Sequence, residues 1–381
     1  MKNRWTERIP VMSPSLTELE SKYVQNSLDS TWIGGEGAYI DQMERDWADI
    51  CGVSHAVMTA NGTLAITLAL QVIGVGAGDE VIVPALTYAA TANSVRLVGG
   101  EPVFVDVEED TWCMDSTLVE SAITPRTRAI IPVDLFGHPT DIDPITEIAN
   151  AHGIHVIIDA AQSHLATYKK RPVGSLAQMT TFSFHVGKMF TSGEGGAVTT
   201  DDAELAGKLR LIRGHGMDPN RRFFHPVVGT NNRMTNLQAA MLCAQIERRD
   251  EIVARRRATF QAYANGLSGI PGLSLRPVAD WATASPWVFC LRLSESEFGM
   301  SRDDLIEELS GRNIETRPFY YPLHRLPMYR ELSESRGESC PVSDSLSSEG
   351  MFLPSSTDIS ADELGFIIET VRSISSKRSG S

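Results

Sequence analysis

Lys188 has an unusual setting for a lysine, because it lies between an apolar run and a cluster of glycines. The segment reads Thr-Phe-Ser-Phe-His-Val-Gly-Lys-Met-Phe-Thr-Ser-Gly-Glu-Gly-Gly over residues 181–196, and upstream Asp159 ends the apolar run that begins at His155. A lysine amine can form a Schiff base with an aldehyde, and an acid can keep a pyridine nitrogen protonated. Pyridoxal phosphate (PLP) chemistry requires this pair, and Ser183 is placed to hydrogen-bond the cofactor's phosphate. The sequence therefore predicts PLP as the cofactor.

Two other glycine-containing ligand motifs fail on spacing. A phosphate-binding loop around Gly187-Lys188 would need a glycine at position 182 and a Ser or Thr after the lysine, but Phe182 and Met189 stand there. The run Gly74-Val-Gly-Ala-Gly78 follows a helix-like segment and lacks the dinucleotide spacing.

A second anion site is indicated where Ala60-Asn-Gly-Thr63 ends one apolar run and opens a helical one. Glycine lets the backbone approach a ligand closely, and the first N–H groups of a helix are unpaired donors. A simple helix N-cap by Asn61 or Thr63 is the alternative for the same residues.

Composition narrows the class of protein. The chain has 381 residues and a net charge of −14, which argues against nonspecific binding to nucleic acid or anionic membranes. Its five cysteines are an odd count without a Cys-x-x-Cys pair, which favours a reducing compartment. His152 and His155 have no acidic or cysteine partners in sequence, so no metal site is predicted. Residues 1–7 lack a signal-peptide core, and a cytoplasmic location is expected.

Strand-like and helix-like runs alternate over residues 53–200, which predicts an α/β domain with a mainly parallel sheet. A long helix at about 236–264 would bridge to a smaller α/β domain. We therefore expect a large domain at 1–264, a small one at 265–374 and a flexible polar tail at 375–381. The predicted strands are 53–59, 80–84, 102–106, 128–133 and 154–159, and the predicted helices include 63–73 and 143–152.

Four motifs, taken together in this order, resemble the DegT/DnrJ/EryC1/StrS family of PLP-dependent sugar aminotransferases, which have fold type I. The resemblance extends from about Ile9 to about Ile374. It implies a homodimer and transamination by a ping-pong mechanism with L-glutamate as the usual donor. The four motifs are 60–65, 159–164, 183–188 with 193–196, and 229–234.

The resemblance also implies roles for individual residues. Lys188 and Asp159 would be catalytic, Tyr88 would stack on the cofactor ring, and Gln162 would contact the phenolic oxygen. Phosphate ligands would come from the neighbouring subunit as well. The residues implied around the phosphate are Gly62, Thr63, Ser183, Asn231 and Arg233, the last two in trans.

Trp32, Tyr321 and His324 match segments that form pocket walls in the family, while His185 either lines the pocket or packs beside Lys188. These segments most resemble members that aminate a GDP-linked 4-keto-6-deoxy sugar. Those members usually carry an acid in place of Gln162 and no histidine at position 185, so a keto-cyclitol acceptor also stays open. Related dehydratases have histidine in place of Lys188. A PLP-binding regulator without turnover is disfavoured, because Lys188 and Asp159 are both retained.

Overall fold

The computed structural model describes residues 7–378, and residues 1–6 and 379–381 lie outside it. The N-terminal segment considered for a signal peptide therefore falls almost wholly outside the described residues. The strands are β1 (His55–Thr59), β2 (Glu80–Pro84), β3 (Glu101–Val105), β4 (Thr127–Ile130), β5 (His155–Asp159), β6 (Thr167–Tyr168), β7 (Arg171–Pro172), β8 (Met179–Ser183), β9 (Gly196–Thr200), β10 (Leu273–Leu275), β11 (Ala282–Thr283), β12 (Phe289–Leu293), β13 (Arg317–Pro318) and β14 (Gly350–Leu353).

Helices separate most of these strands in the chain. They are α1 (Glu18–Asp29), α2 (Ala38–Cys51), α3 (Gly62–Val72), α4 (Ala90–Leu97), α5 (Ser116–Val119), α6 (Ile142–His152), α7 (Ala203–Arg213), α8 (Asn236–Glu247), α9 (Arg249–Leu267), α10 (Glu295–Phe298), α11 (Arg302–Ser310), α12 (Pro327–Arg336), α13 (Pro341–Glu349) and α14 (Ala361–Arg378). Short 3₁₀ turns occupy 120–122, 135–137, 173–175 and 323–325.

The main sheet has seven strands in the order β1-β9-β8-β5-β4-β2-β3. Strands β3, β2, β4, β5 and β8 pair in parallel, while β9 is antiparallel to both β8 and β1. Strand β1 therefore runs in the same direction as β8. The central strands are buried along nearly their whole length, as expected for a sheet covered on both faces. The predicted α/β class with a mainly parallel sheet is confirmed.

Two apolar clusters cover the two faces of this sheet. One face packs against α3, α4 and α7, through residues such as Leu68, Val95 and Leu209. The other face packs against α2, α6 and α8, through residues such as Trp47 and Leu242. Helix α3 is buried over residues 65–70 because its sequence is apolar on every side.

A second, four-stranded sheet has the order β10-β12-β14-β13 and is built from residues after 272. Its core includes Phe289, Leu291 and Leu353, and the end of α9 joins it through Tyr263 and Leu267. The boundary between two domains at residue 264 stays a prediction.

The C-terminal half of the chain differs from the sequence prediction in two details. The predicted bridging helix is two helices, α8 and α9, with a break in helical backbone angles at Arg248 (φ −92°, ψ 9°). The predicted polar tail begins too early, because residues 375–378 form the end of α14. Among residues 7–378 no helix is both long and apolar enough to cross a bilayer.

Candidate active site

The carboxyl ends of four strands with the same direction meet at one edge of the main sheet. The turn Asn61-Gly62-Thr63 follows β1, the loop with Tyr88 follows β2, Asp159 ends β5, and Ser183 ends β8. Ligands of open α/β sheets bind outside this edge. The fold therefore brings together residues that are distant in the sequence, as the motifs predicted.

Gly62 and Ser183 form a close contact at the start of α3. A Cβ atom added at Gly62 would lie 2.6 Å from the Ser183 Cβ and 3.0 Å from its Oγ. The Asn61 side chain accepts the Leu64 N–H at 2.9 Å, so Asn61 is the N-cap. The amides of Gly62 and Thr63 remain as donors in the first turn, beside the Ser183 hydroxyl. Glycine, free amides and a hydroxyl together make a cradle for an anion.

Asp159 is a buried carboxylate, 4% exposed, with two donors of its own. Its Oδ2 accepts from the Thr91 hydroxyl at 2.8 Å, and its Oδ1 accepts from the Ala161 N–H at 3.1 Å. Burial raises the pKa of Asp159, while these hydrogen bonds and the charge of Lys188 oppose the rise. Thr91 lies in the first turn of α4 and gave no signal in the sequence.

Lys188 is half-buried and lies close enough to Asp159 for each charge to affect the other's pKa. Burial lowers the pKa of the Lys188 amine to about 8. Its Nζ lies 4.1 Å from the centroid of the Trp287 ring, and the Trp287 Nε1 donates to the Gly187 carbonyl at 2.7 Å. Trp287 was not predicted, because it comes from a segment a hundred residues away whose sequence carries no motif.

These groups fit PLP. The cofactor needs an amine for its aldehyde, an acid for its pyridine nitrogen and an anion cradle for its phosphate. Lys188, Asp159 and the Gly62–Ser183 cradle supply the three at one sheet edge. The cradle requires glycine at position 62, since a methyl group there would fill the space for the anion.

Gln162 is buried and held in one orientation. Its Oε1 accepts from the Phe136 N–H at 2.8 Å, which leaves the side-chain NH₂ as its remaining polar group. Phe136 has a positive φ of 51°, and Arg276 donates to the carbonyls of Phe136 and Leu135, both at 2.7 Å. Arg276 thus supports the turn that orients Gln162, a role with no sequence signal.

Behind this turn lies a second buried carboxylate, Asp134. It accepts from the Ser163 hydroxyl at 2.7 Å and from the Thr140 N–H at 2.9 Å. Burial, with a smaller contribution from the charge of Asp159, raises the pKa of Asp134 to about 7. His164 is buried too and pairs its Nε2 with the Ser183 carbonyl at 2.9 Å, so it supports the end of β8.

Tyr88 is 61% exposed, so its ring is available to a ligand. It contacts Tyr320 edge to face, with ring centroids 5.7 Å apart. Burial raises the pKa of Tyr320, and the charge of Asp159 contributes. Tyr320, which faces this site, had no signal in the sequence. Its neighbour Tyr321 is 76% exposed, and its predicted contact with substrate stays a prediction.

Asn231 and Arg233 lie beyond the carboxyl end of β1. Arg233 pairs its backbone with Thr59, and its Nε donates to the Asn231 Oδ1 at 3.1 Å. The exposed Trp32 is near this segment, since its carbonyl accepts from the Asn236 side chain at 2.7 Å. Arg233 and Asn231 therefore lie beside the end of β1, and Trp32 lies near the start of α8. The contacts of these three residues with cofactor or substrate stay predictions.

The two histidines predicted to contact substrate differ in exposure. His185 is exposed, its Nδ1 accepts from the Gly187 N–H at 3.2 Å, and its Nε2 is 3.8 Å from Glu194, contacts that favour packing beside the lysine turn. The side chain of His324 is 4% exposed and its Nε2 lies 3.5 Å from Asp344, and its role as a substrate contact stays a prediction. Its place inside the 3₁₀ turn at 323–325 turns the ring away from solvent.

Known proteins resemble this chain over nearly its whole length. A GDP-perosamine synthase of Caulobacter vibrioides is 43% identical over 362 residues, which cover 95% of this chain and 96% of that protein. A dTDP-3-amino-3,4,6-trideoxy-alpha-D-glucose transaminase of Streptomyces venezuelae is 39% identical, and the match covers 88% of this chain and 87% of that protein.

Solved structures also resemble this chain over nearly its whole length. Spr1654 of Streptococcus pneumoniae in its PLP form is 31% identical, has a TM-score of 0.90, and the match covers 97% of this chain and 99% of that one. This agreement confirms fold type I. The model of the DegT/DnrJ/EryC1/StrS aminotransferase family matches residues 14–372. The chain therefore belongs to the DegT/DnrJ/EryC1/StrS aminotransferase family, as its motifs predicted.

Proposed function

We propose that this chain is a PLP-dependent aminotransferase that moves an amino group from L-glutamate to a GDP-linked sugar of the 4-keto-6-deoxymannose type. The observation that carries the proposal is the Lys188 amine and the buried Asp159 carboxylate at one sheet edge, beside the anion cradle of Gly62 and Ser183. The sugar is supported by the 43% identity to a GDP-perosamine synthase over 95% of the chain.

Each predicted cofactor contact has a physical role in this proposal. The first-turn amides of α3 and the Ser183 hydroxyl bind the phosphate, and Asp159 pairs with the pyridine nitrogen. Gln162 donates its NH₂ to the phenolic oxygen, because its carbonyl is already bonded to Phe136. Tyr88 covers one face of the ring. When bound, PLP supplies an electron sink that stabilises negative charge at the substrate's α-carbon.

Lys188 carries the proton in this mechanism. A pKa of about 8 leaves a useful fraction of its amine unprotonated near neutral pH. The Nζ accepts the proton from the α-carbon of glutamate and delivers it again within the same site. One water is consumed as the carbon skeleton of glutamate leaves as 2-oxoglutarate, and the amino group would be retained by the bound cofactor. The keto sugar then enters and takes up that amino group, and its carbonyl oxygen leaves as water.

We further propose a homodimer in which Asn231 and Arg233 reach the partner's phosphate site. The segment 215–231 exposes apolar side chains, among them Phe223 at 76% and Val228 at 94%, which a subunit interface would cover. Mixing inactive Lys188→Ala chains with inactive Asn231→Ala chains should restore partial activity, because one site in each hybrid has all its residues. Verified hybrids with no activity would count against the shared site.

The acceptor is tested by pairing glutamate with three ketones in separate assays. They are the GDP-linked 4-keto-6-deoxy sugar, a thymidine-linked 4-keto sugar and a keto-inositol. We expect amination of the GDP sugar. Amination of the keto-inositol alone would contradict a nucleotide-sugar acceptor and leave the aminotransferase assignment in place.

The PLP assignment is tested without any acceptor. The purified chain should be yellow, and borohydride reduction followed by peptide mass analysis should place the pyridoxyl group on Lys188. Lys188→Ala should lose colour and activity, whereas the matched control Lys170→Ala, at an exposed position, should keep both. A pyridoxyl group found on another lysine would refute the assignment. A yellow, reducible protein without turnover on any ketone would favour a PLP-binding regulator.

A further inference from the structure

The strongest unassigned feature of the site is the position of Trp287 over the Lys188 amine. Trp287 is 4% exposed, and its indole N–H donates to the Gly187 carbonyl at 2.7 Å. Its backbone N–H is bonded to the Ser285 carbonyl at 2.9 Å. The ring is therefore fixed at both ends, with its face 4.1 Å from the Lys188 Nζ.

We infer that Trp287 is a catalytic residue that holds the Lys188 ammonium on its ring face while the lysine carries the proton. The inference rests on the proposed function, in which the amine is released and then bears a proton between two transfers. An ammonium within about 6 Å of an indole centroid is attracted to the negative face of the ring. Indole binds cations best among the aromatic side chains.

The surroundings explain why an aromatic ring suits this task. A carboxylate reserved for the ammonium would hold the proton too strongly for its return. Asp159 does face the amine, but it accepts from Thr91 and Ala161 and is needed for the pyridine nitrogen. His164, whose pKa burial lowers to about 3, is neutral and adds no charge. Trp287 offers a moderate attraction that stabilises the ammonium without taking its proton.

Burial opposes the ammonium and lowers the pKa of Lys188 to about 8. The indole face acts in the opposite direction, since it favours the charged form. Removing the ring should therefore lower the pKa of the amine further. A cation–π contact of about 0.5–1 kcal/mol or somewhat more corresponds to a fall of about half a unit to one unit.

The test measures the protonation of Lys188 in the cofactor-free protein. Competitive acetylation across a pH series, read by peptide mass spectrometry, gives the apparent pKa of that one amine. We expect Trp287→Leu to lower it by about half a unit to one unit and Trp287→Phe to lower it less, since phenyl keeps a weaker negative face.

Fluorinated tryptophans placed at position 287 keep the shape and weaken the ring face, so they cover the case in which Trp287→Leu does not fold. The pKa of Lys188 should fall stepwise with the number of fluorines. The matched control is Trp281, which lies earlier in the same connection and packs on Tyr168 and His138. Fluorination at 281 should leave Lys188 unchanged.

An unchanged pKa of Lys188 after fluorination at 287, in protein that still binds PLP, would overturn the inference. So would an equal response to fluorination at 281. Failure of the proposed function has a different signature, which is a wild-type protein that forms no yellow, borohydride-reducible adduct on Lys188.

Discussion

Gly62→Ala tests the anion cradle directly, because the change adds one methyl group at the contact with Ser183. The new Cβ would lie 2.6 Å from the Ser183 Cβ and 3.3 Å from its Cα, so Ser183 and the strand end must move. Overpacking of this kind costs about 1–3 kcal/mol. The displaced groups include donors to the phosphate, and a hydrogen bond to a charged group contributes about 1.5–3 kcal/mol. We expect PLP affinity to fall by about tenfold to a hundredfold.

Gly207→Ala is the matched control, since Gly207 also lies in a helix but a Cβ there would meet nothing within 4 Å. It should keep PLP affinity and gain up to about 1 kcal/mol of stability from helix propensity. Affinity is measured by titrating each cofactor-free variant with PLP and following the visible absorbance. Urea unfolding of the same samples separates loss of folding from loss of binding. A folded Gly62→Ala protein that binds PLP as tightly as Gly207→Ala would refute a phosphate at this turn.

Three further changes address the groups around the cofactor. Arg276→Met removes the charged donors from two carbonyls and should lower the free energy of unfolding in urea by about 2–4 kcal/mol, and Arg276→Lys should lower it less. Equal stability of Arg276→Met and wild type would contradict a role for Arg276 in supporting the turn at Phe136. Thr91→Val deprives Asp159 of a donor, which raises its pKa further, so PLP titration should show about tenfold weaker binding, while Thr91→Ser should bind normally. Burial raises the pKa of Asp134 from 3.8 to about 7, so its contribution to stability is full below about pH 4 and is lost as the pH rises through about 7. Asp134→Asn is neutral throughout, so its stability in urea unfolding should depend less on pH between about 4 and 7. A pH dependence equal to that of wild type would refute the raised pKa of Asp134.

Local sequence signals predicted much of this protein. Strand β5 is a short apolar run bounded by turn residues, and Asp159 at its end is a polar residue that such a run does not need for folding. Lys188 was recognisable because its neighbours are glycine and serine. In both cases the sequence pattern that marks the residue lies within a few positions of it along the chain, so tertiary contacts did not have to be known.

The residues that were missed act across long distances in sequence. Arg276 and Trp287 reach the site from the segment between β10 and β12 of the four-stranded sheet, and neither lies in a repeating pattern. Tyr320, which contacts Tyr88, was missed because neighbouring residues in extended chain point to opposite sides and the sequence does not show which of them faces the site. The burial of His324 could not be seen in the sequence either, because it depends on the 3₁₀ turn around that residue.

The electrostatics of the site explain why Asp159 needs hydrogen-bond donors in addition to the nearby charge of Lys188. In the cofactor-free chain, burial raises the pKa of the acid and lowers that of the amine, so both groups are driven toward their neutral forms. Their mutual attraction opposes this, but a lysine bonded to an aldehyde no longer offers the same charge. The hydrogen bonds from the Thr91 hydroxyl and the Ala161 amide do not depend on the charge of Lys188. They can therefore keep Asp159 ionised, and so able to hold a proton on a pyridine nitrogen, at every stage in which Lys188 is occupied elsewhere.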